Sequence, residues 1–126
     1  MAATRQVIDP ELSNAFAELS LKKAQSENQI RISNSQIENL TRKIQHSHLV
    51  EQEVKNLPSD VRLYKAVGRM FLLRSQDELK GELKEKQGSF AEKIKSLESS
   101  KEYLQRNIEE CKNNVRELVM SKQSSR

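Results

Sequence analysis

LYKAVGRMFLL, residues Leu63 to Leu73, is the one stretch where apolar residues crowd around a glycine. Residues 63–67 alternate loosely and favour extended structure, Gly68-Arg69 supplies a turn, and residues 70–73 are apolar throughout. A two-residue loop with glycine first predicts a β-hairpin of type II′. Such a hairpin is marginal in water by itself. It would also leave Leu63, Val67, Met70, Phe71, Leu72 and Leu73 beside unpaired strand edges. Strands from other chains are the expected complement, so this midpiece predicts obligate oligomerisation.

Outward from the block, the period changes from two to three and a half. On the N-terminal side, Asp9-Pro10-Glu11 reads as a helix start. Asp9 is the N-cap, Pro10 sits where a missing N–H costs nothing, and Glu11 faces the positive helix end. Leu12, Phe16, Leu19, Lys23, Ser26, Ile30, Ser33, Ile37, Leu40, Ile44, Ser47, Glu51 and Val54 then keep alternating 4,3 spacing, a heptad seam. Pro58 stops the run. On the C-terminal side, Ser75 and Glu78 form a capping box. Leu83, Gln87, Phe90, Ile94, Leu97, Lys101, Leu104, Ile108, Cys111, Val115 and Leu118 make the second seam, expected to fray after Met120.

If the chain reverses at Val67-Gly68, seam partners have residue numbers that sum to about 134. That register sets Leu19 against Val115, Ile30 against Leu104, Ile37 against Leu97 and Ile44 against Phe90. It also matches polar with polar at Ser47–Gln87 and Ser33–Lys101. A shift of one heptad mixes the two kinds. The expected fold is therefore mainly α: an antiparallel two-helix coiled coil joined by a single β-hairpin. The segments read as an N-terminal tip (1–8), first helix (9–57), hairpin segment (58–74), second helix (75–121) and flexible tail (122–126).

Composition agrees with long helices and narrow seams. The 126 residues are 35% hydrophobic and 32% charged, too polar for one rounded core. The net charge of +4 is concentrated in the middle, because residues 58–75 hold four basic residues and one acidic. Elsewhere opposite charges interleave, as on a solvated helix face, so nucleic acid is not the expected partner. The single cysteine permits no internal disulfide, and no apolar run is long enough to span a membrane. A cytosolic or nuclear protein is expected.

Long helix, hairpin and returning helix resemble the prefoldin family. The likeness is most specific in LYKAVGRMFLLRS and ELKGELKEKQ, and the single hairpin-sized block fits the β-type subunit. The resemblance implies a heterohexamer of two α-type and four β-type subunits whose hairpins join into β-barrels. It implies that Leu63, Tyr64, Val67, Gly68, Met70, Phe71 and Leu73 are assembly residues. It further implies an ATP-independent co-chaperone that holds unfolded actin and tubulin and passes them to the cytosolic chaperonin.

A holdase needs apolar groups on mobile supports, and the chain ends carry them: Val7, Ile8, Leu12, Phe16, Leu118, Val119 and Met120. Leu12, Phe16, Val115 and Leu118 also suit the simpler task of closing the seam. His46 and His48 project about 200° apart on a helix and cannot share a metal. Cys111 has no base beside it. With no phosphate loop, metal cluster or nucleophile–base pair, neither an enzyme nor a cofactor is expected. The competing readings are a coiled-coil scaffold that tethers stable partners, and a basic subunit that contacts nucleic acid through Arg62, Lys65, Arg69 and Arg74.

Overall fold

The computed structural model describes residues 9–124. Its elements run α1 (Pro10–Asn56), β1 (Leu63–Val67), β2 (Met70–Arg74) and α2 (Gln76–Ser124). Two long helices are thus joined by an antiparallel two-stranded hairpin, the expected fold class.

The helix starts follow from local chemistry. The Glu11 amide donates to Asp9 Oδ1 at 3.1 Å, and the Glu78 amide donates to Ser75 Oγ at 3.1 Å. Each side-chain oxygen satisfies an amide that the first helical turn leaves without a partner. The Glu78 carboxylate turns to Arg74, one of whose terminal nitrogens lies 3.5 Å away. At the other end of α1, Pro58 follows closely on the last helical residue, Asn56, and its carbonyl takes a hydrogen bond from the Gln76 side chain at 3.1 Å.

In the hairpin Val67 pairs with Met70, Ala66 with Phe71, Lys65 with Leu72, Tyr64 with Leu73 and Leu63 with Arg74. Gly68 has φ of +61° and no other residue with a side chain has positive φ among those described. Positive φ at the first loop position only is the type II′ pattern, and it excludes type I′, which needs it at both.

Two compact units can be distinguished. The hairpin unit comprises Ser35–Leu97, and the terminal unit joins the residues up to Asn34 with those from Glu98 onward. In the hairpin unit Ser47 and Val54 are buried, at 5% and 7% exposure, within a half-buried stripe that includes Ile37, Leu40, Ile44, Leu83, Phe90, Ile94 and Leu97. Gln87 Nε2 donates to Ser47 Oγ at 3.1 Å, which is the polar layer expected from the register sum. The same amide donates to Glu51 Oε2 at 3.0 Å, a second link between the two helices of this unit.

In the terminal unit Val115 is buried at 8% exposure, and Leu12, Leu19, Ser26, Ile30, Leu104, Ile108, Cys111 and Leu118 are half-buried. Two expected seam residues of α1 depart from it: Phe16 is 47% exposed, and Lys23 also faces solvent. Ala15 takes the inward position and shares a shallow depression with Leu118. A helix of 3.6 residues per turn drifts by about 20° per heptad against a 3.5-residue repeat, so a strict 4,3 count slips to the neighbouring residue. The C-terminal fraying expected after Met120 is corrected as well. Helix α2 continues to Ser124, because Lys122 is held by carboxylates of the opposite helix end.

Candidate functional site

Because side chains alternate across a strand, the hairpin has two faces. Tyr64, Ala66, Phe71 and Leu73 share one, and all four are exposed, Phe71 at 71%. Leu63, Lys65, Val67, Met70, Leu72 and Arg74 share the other. On that face Leu63, Lys65 and Arg74 are half-buried, whereas Val67, Met70 and Leu72 are exposed. The four apolar residues Met70 to Leu73 therefore all stand in solvent on a strand with an open edge.

Glu82 of α2 fixes the hairpin against the helix bases. Lys65 Nζ lies 2.8 Å from Glu82 Oε2, and Arg74 Nε lies 3.6 Å from Glu82 Oε1. The Lys65 hydrogen bond, aided by the charges of Lys65, Arg74 and Lys86, holds the Glu82 carboxyl below its ordinary pKa. The carboxylate so placed anchors one strand by its middle and the other by its end. The seven expected assembly residues, Leu63, Tyr64, Val67, Gly68, Met70, Phe71 and Leu73, thus come together on one hairpin, six on its strands and Gly68 in its loop.

At the chain ends, Val7 and Ile8 lie outside the described residues. Leu12, Leu118 and Val119 are half-buried, and Phe16 and Met120 are exposed, Met120 at 63%. The described tip candidates thus divide into seam-closing residues and two displayed ones. Sequence reasoning missed the clasp beside them: Lys122 Nζ pairs with Asp9 Oδ2 and lies 3.0 Å from Glu11 Oε2. The hydrogen bond from Lys122, with that from the Glu11 amide, lowers the Asp9 pKa; hydrogen bonds to Asp9 and Glu11 raise that of Lys122. Lys122 follows Leu118 by four residues on the seam spacing, a signal set aside once the apolar residues ended.

Among the described residues no group of three or more His, Cys, Asp or Glu side chains could hold a metal. No described helix is long and apolar enough to cross a membrane. His48 Nδ1 lies 3.9 Å from Glu51 Oε2, and Cys111 is a half-buried seam residue. The chemistry on display is apolar contact and strand pairing.

Fold and site define a class of protein: two long helices joined by one hairpin whose second strand displays its apolar residues on an open edge. The family model described as "Prefoldin subunit" matches residues 17–122, and the chain belongs to the prefoldin family. "Prefoldin subunit 1" of Tetraodon nigroviridis is 41% identical over 124 residues, covering 98% of this chain and 99% of that protein. The human protein of the same name is 38% identical, covering 93% of this chain and 96% of the relative. "Prefoldin subunit 1" of Arabidopsis thaliana is 33% identical, covering 86% and 80% respectively. In fold, the chain is similar to the crystal structure of the prefoldin beta subunit from Thermococcus strain KS-1, with a TM-score of 0.72. That likeness holds at 21% identity and covers 90% of this chain and 96% of the other. Prefoldins are chaperone subunits, not enzymes, and they form hetero-oligomers with other prefoldin subunits.

Proposed function

We propose that this chain is the β-type subunit in the subunit 1 position of a prefoldin heterohexamer of two α-type and four β-type subunits. The complex holds unfolded actin and tubulin without ATP and delivers them to the cytosolic chaperonin. The observation that carries the assembly role is the hairpin, where Met70 to Leu73 are all exposed on a strand with an open edge. Burying one large apolar side chain contributes about 1.5–3 kcal/mol, so neighbouring strands that cover Phe71, Leu73 and Met70 would stabilise the complex strongly. A plain scaffold needs no such strand at its point of reversal.

Client holding falls to the chain ends. Phe16 and Met120 support this, since a displayed aromatic and a flexible thioether can adapt to varied apolar surface. Val7, Ile8, Leu12, Leu118 and Val119 complete the proposed contact set. The test is suppression of aggregation of chemically unfolded actin by the complete reconstituted complex. Phe16→Ser with Met120→Ser is expected to assemble normally and to protect actin several-fold less well. Equal protection by the variant complex would refute the tip assignment.

A further inference from the structure

Between the hairpin and the helices of the hairpin unit lies a groove of 720 Å³. Val50, Val54, Leu63, Leu79, Leu83 and Phe90 supply its apolar lining. Arg42, Lys43, Lys65 and Lys86 also line it, against a single carboxylate, Glu82. That carboxylate is already shared by Lys65 and Arg74. Lys43 stands 5.7 Å from the centre of the Phe90 ring, so its charge is presented over an aromatic face. Arg42 and Lys86 are exposed, and neither has a carboxylate within 4 Å among the described residues.

An apolar floor under an excess of cations, four basic side chains against one carboxylate, selects for an occupant with large apolar side chains flanked by carboxylates. The chain's own ends do not fit. Residues 1–8 carry Arg5 and no acid, and residues 121–126 carry Lys122 and Arg126 and no acid. A second copy is disfavoured too, since residues 58–75 hold four basic residues and one acidic, and two such midpieces repel. A purely anionic polymer such as nucleic acid would leave the apolar floor uncovered. The groove is also continuous with the hairpin, through Leu63, Tyr64 and Lys65.

We propose that this groove seats an acidic, apolar-centred segment of a neighbouring, non-identical subunit, and so selects which partner lies beside the chain. The proposal rests on hairpin-mediated assembly and adds to it a means of choosing the neighbour. Hairpin strands provide backbone pairing that any β-strand can satisfy; the cationic groove supplies the discrimination.

The test uses the full chain assembled with its partner subunits. With p-benzoylphenylalanine at position 46, on the groove wall, photo-crosslinking and mass spectrometry should identify a segment of a different subunit that carries several Asp or Glu around a large apolar residue. An adduct to a second copy of this chain, to a basic or uncharged segment, or to nucleic acid overturns the proposal, as does absence of an adduct. Independently, Arg42→Glu with Lys86→Glu should lower incorporation into the mixed complex about tenfold, while Arg42→Lys with Lys86→Arg stays within about twofold. Phe71→Asp separates the two claims. If it abolishes incorporation while the charge reversal does not, the groove is misassigned and hairpin assembly stands; if neither variant is excluded, both fail.

Discussion

In the hairpin unit, Ser47 and Val54 are buried, while the four apolar residues Met70 to Leu73 all face solvent. In the terminal unit, Val115 is buried, and among the described tip candidates only Phe16 and Met120 are exposed outright. Concentrated apolar surface on an open strand edge suits a fixed partner with complementary strands, because pairing aligns many contacts together. Scattered apolar side chains on helix ends suit a partner without fixed shape, because no single geometry is demanded. Under the proposed function, this difference assigns assembly to the hairpin and client contact to the chain ends.

The largest effect is expected at Gly68. Its φ of +61° is a conformation that residues with a Cβ adopt at a cost of roughly 1–2 kcal/mol, most for a branched side chain. A Cβ there would meet no atom within 4 Å, so any effect is conformational and not a clash. Gly68→Val should therefore reduce incorporation into the complex more than tenfold, and Gly68→Asn should reduce it less. Size-exclusion chromatography with light scattering reads both.

Next come the two buried valines. Val54→Ala and Val115→Ala each remove two buried methyl-sized groups, at about 1.5 kcal/mol. The first should weaken assembly together with thermal stability. The second should speed amide exchange around Val115 and leave assembly intact. Equal effects on assembly would erase the division between the units.

The polar layer gives a smaller effect. Gln87→Leu removes the donor to Ser47 and Glu51, for a loss of about 1 kcal/mol, while Ser47→Ala with Gln87→Leu should recover part of it. Thermal unfolding of the single and double variants decides this.

The smallest effect is the clasp. Asp9 has a lowered folded pKa, so its contribution is present above the ordinary carboxylate pKa and is lost as pH falls through the lowered one. Lys122 has a raised folded pKa, so its contribution persists below the ordinary lysine range and is lost as pH rises through the raised value. Closure of the ends should hence be flat between about pH 5 and 9. In carbon-13 NMR, Lys122→Gln should move the Asp9 carboxyl midpoint up toward the ordinary range. An unmoved midpoint would show that the clasp does not form.

The seam of α2 was legible at every position from Leu83 to Leu118, since its apolar residues recur with the helix period. The seam of α1 was legible from Ser26 to Val54 and misread near Phe16, where a large aromatic outweighed the small Ala15 in any count of apolar residues. Gly68 announced the turn because only two-residue loops of one kind place glycine first. The continuation of α2 to Ser124 was hidden, because it depends on Lys122 meeting Asp9 and Glu11 from far along the chain. The groove was hidden for the same reason: Val54, Leu63 and Phe90 belong to three different elements. Local pattern reveals faces and caps; contacts between distant segments appear only once the register is drawn in space.

If the exposed hairpin strand joins this chain to other subunits, a charge at its most exposed apolar residue should keep the chain out of the complex. Native mass spectrometry of the complex reconstituted with wild-type chain or Phe71→Asp tests it most directly. The wild-type chain should appear in a mixed hexamer, and the Phe71→Asp chain should stay outside the complex with its helicity retained by circular dichroism. Phe71→Asp chains found in the hexamer at wild-type stoichiometry would contradict it.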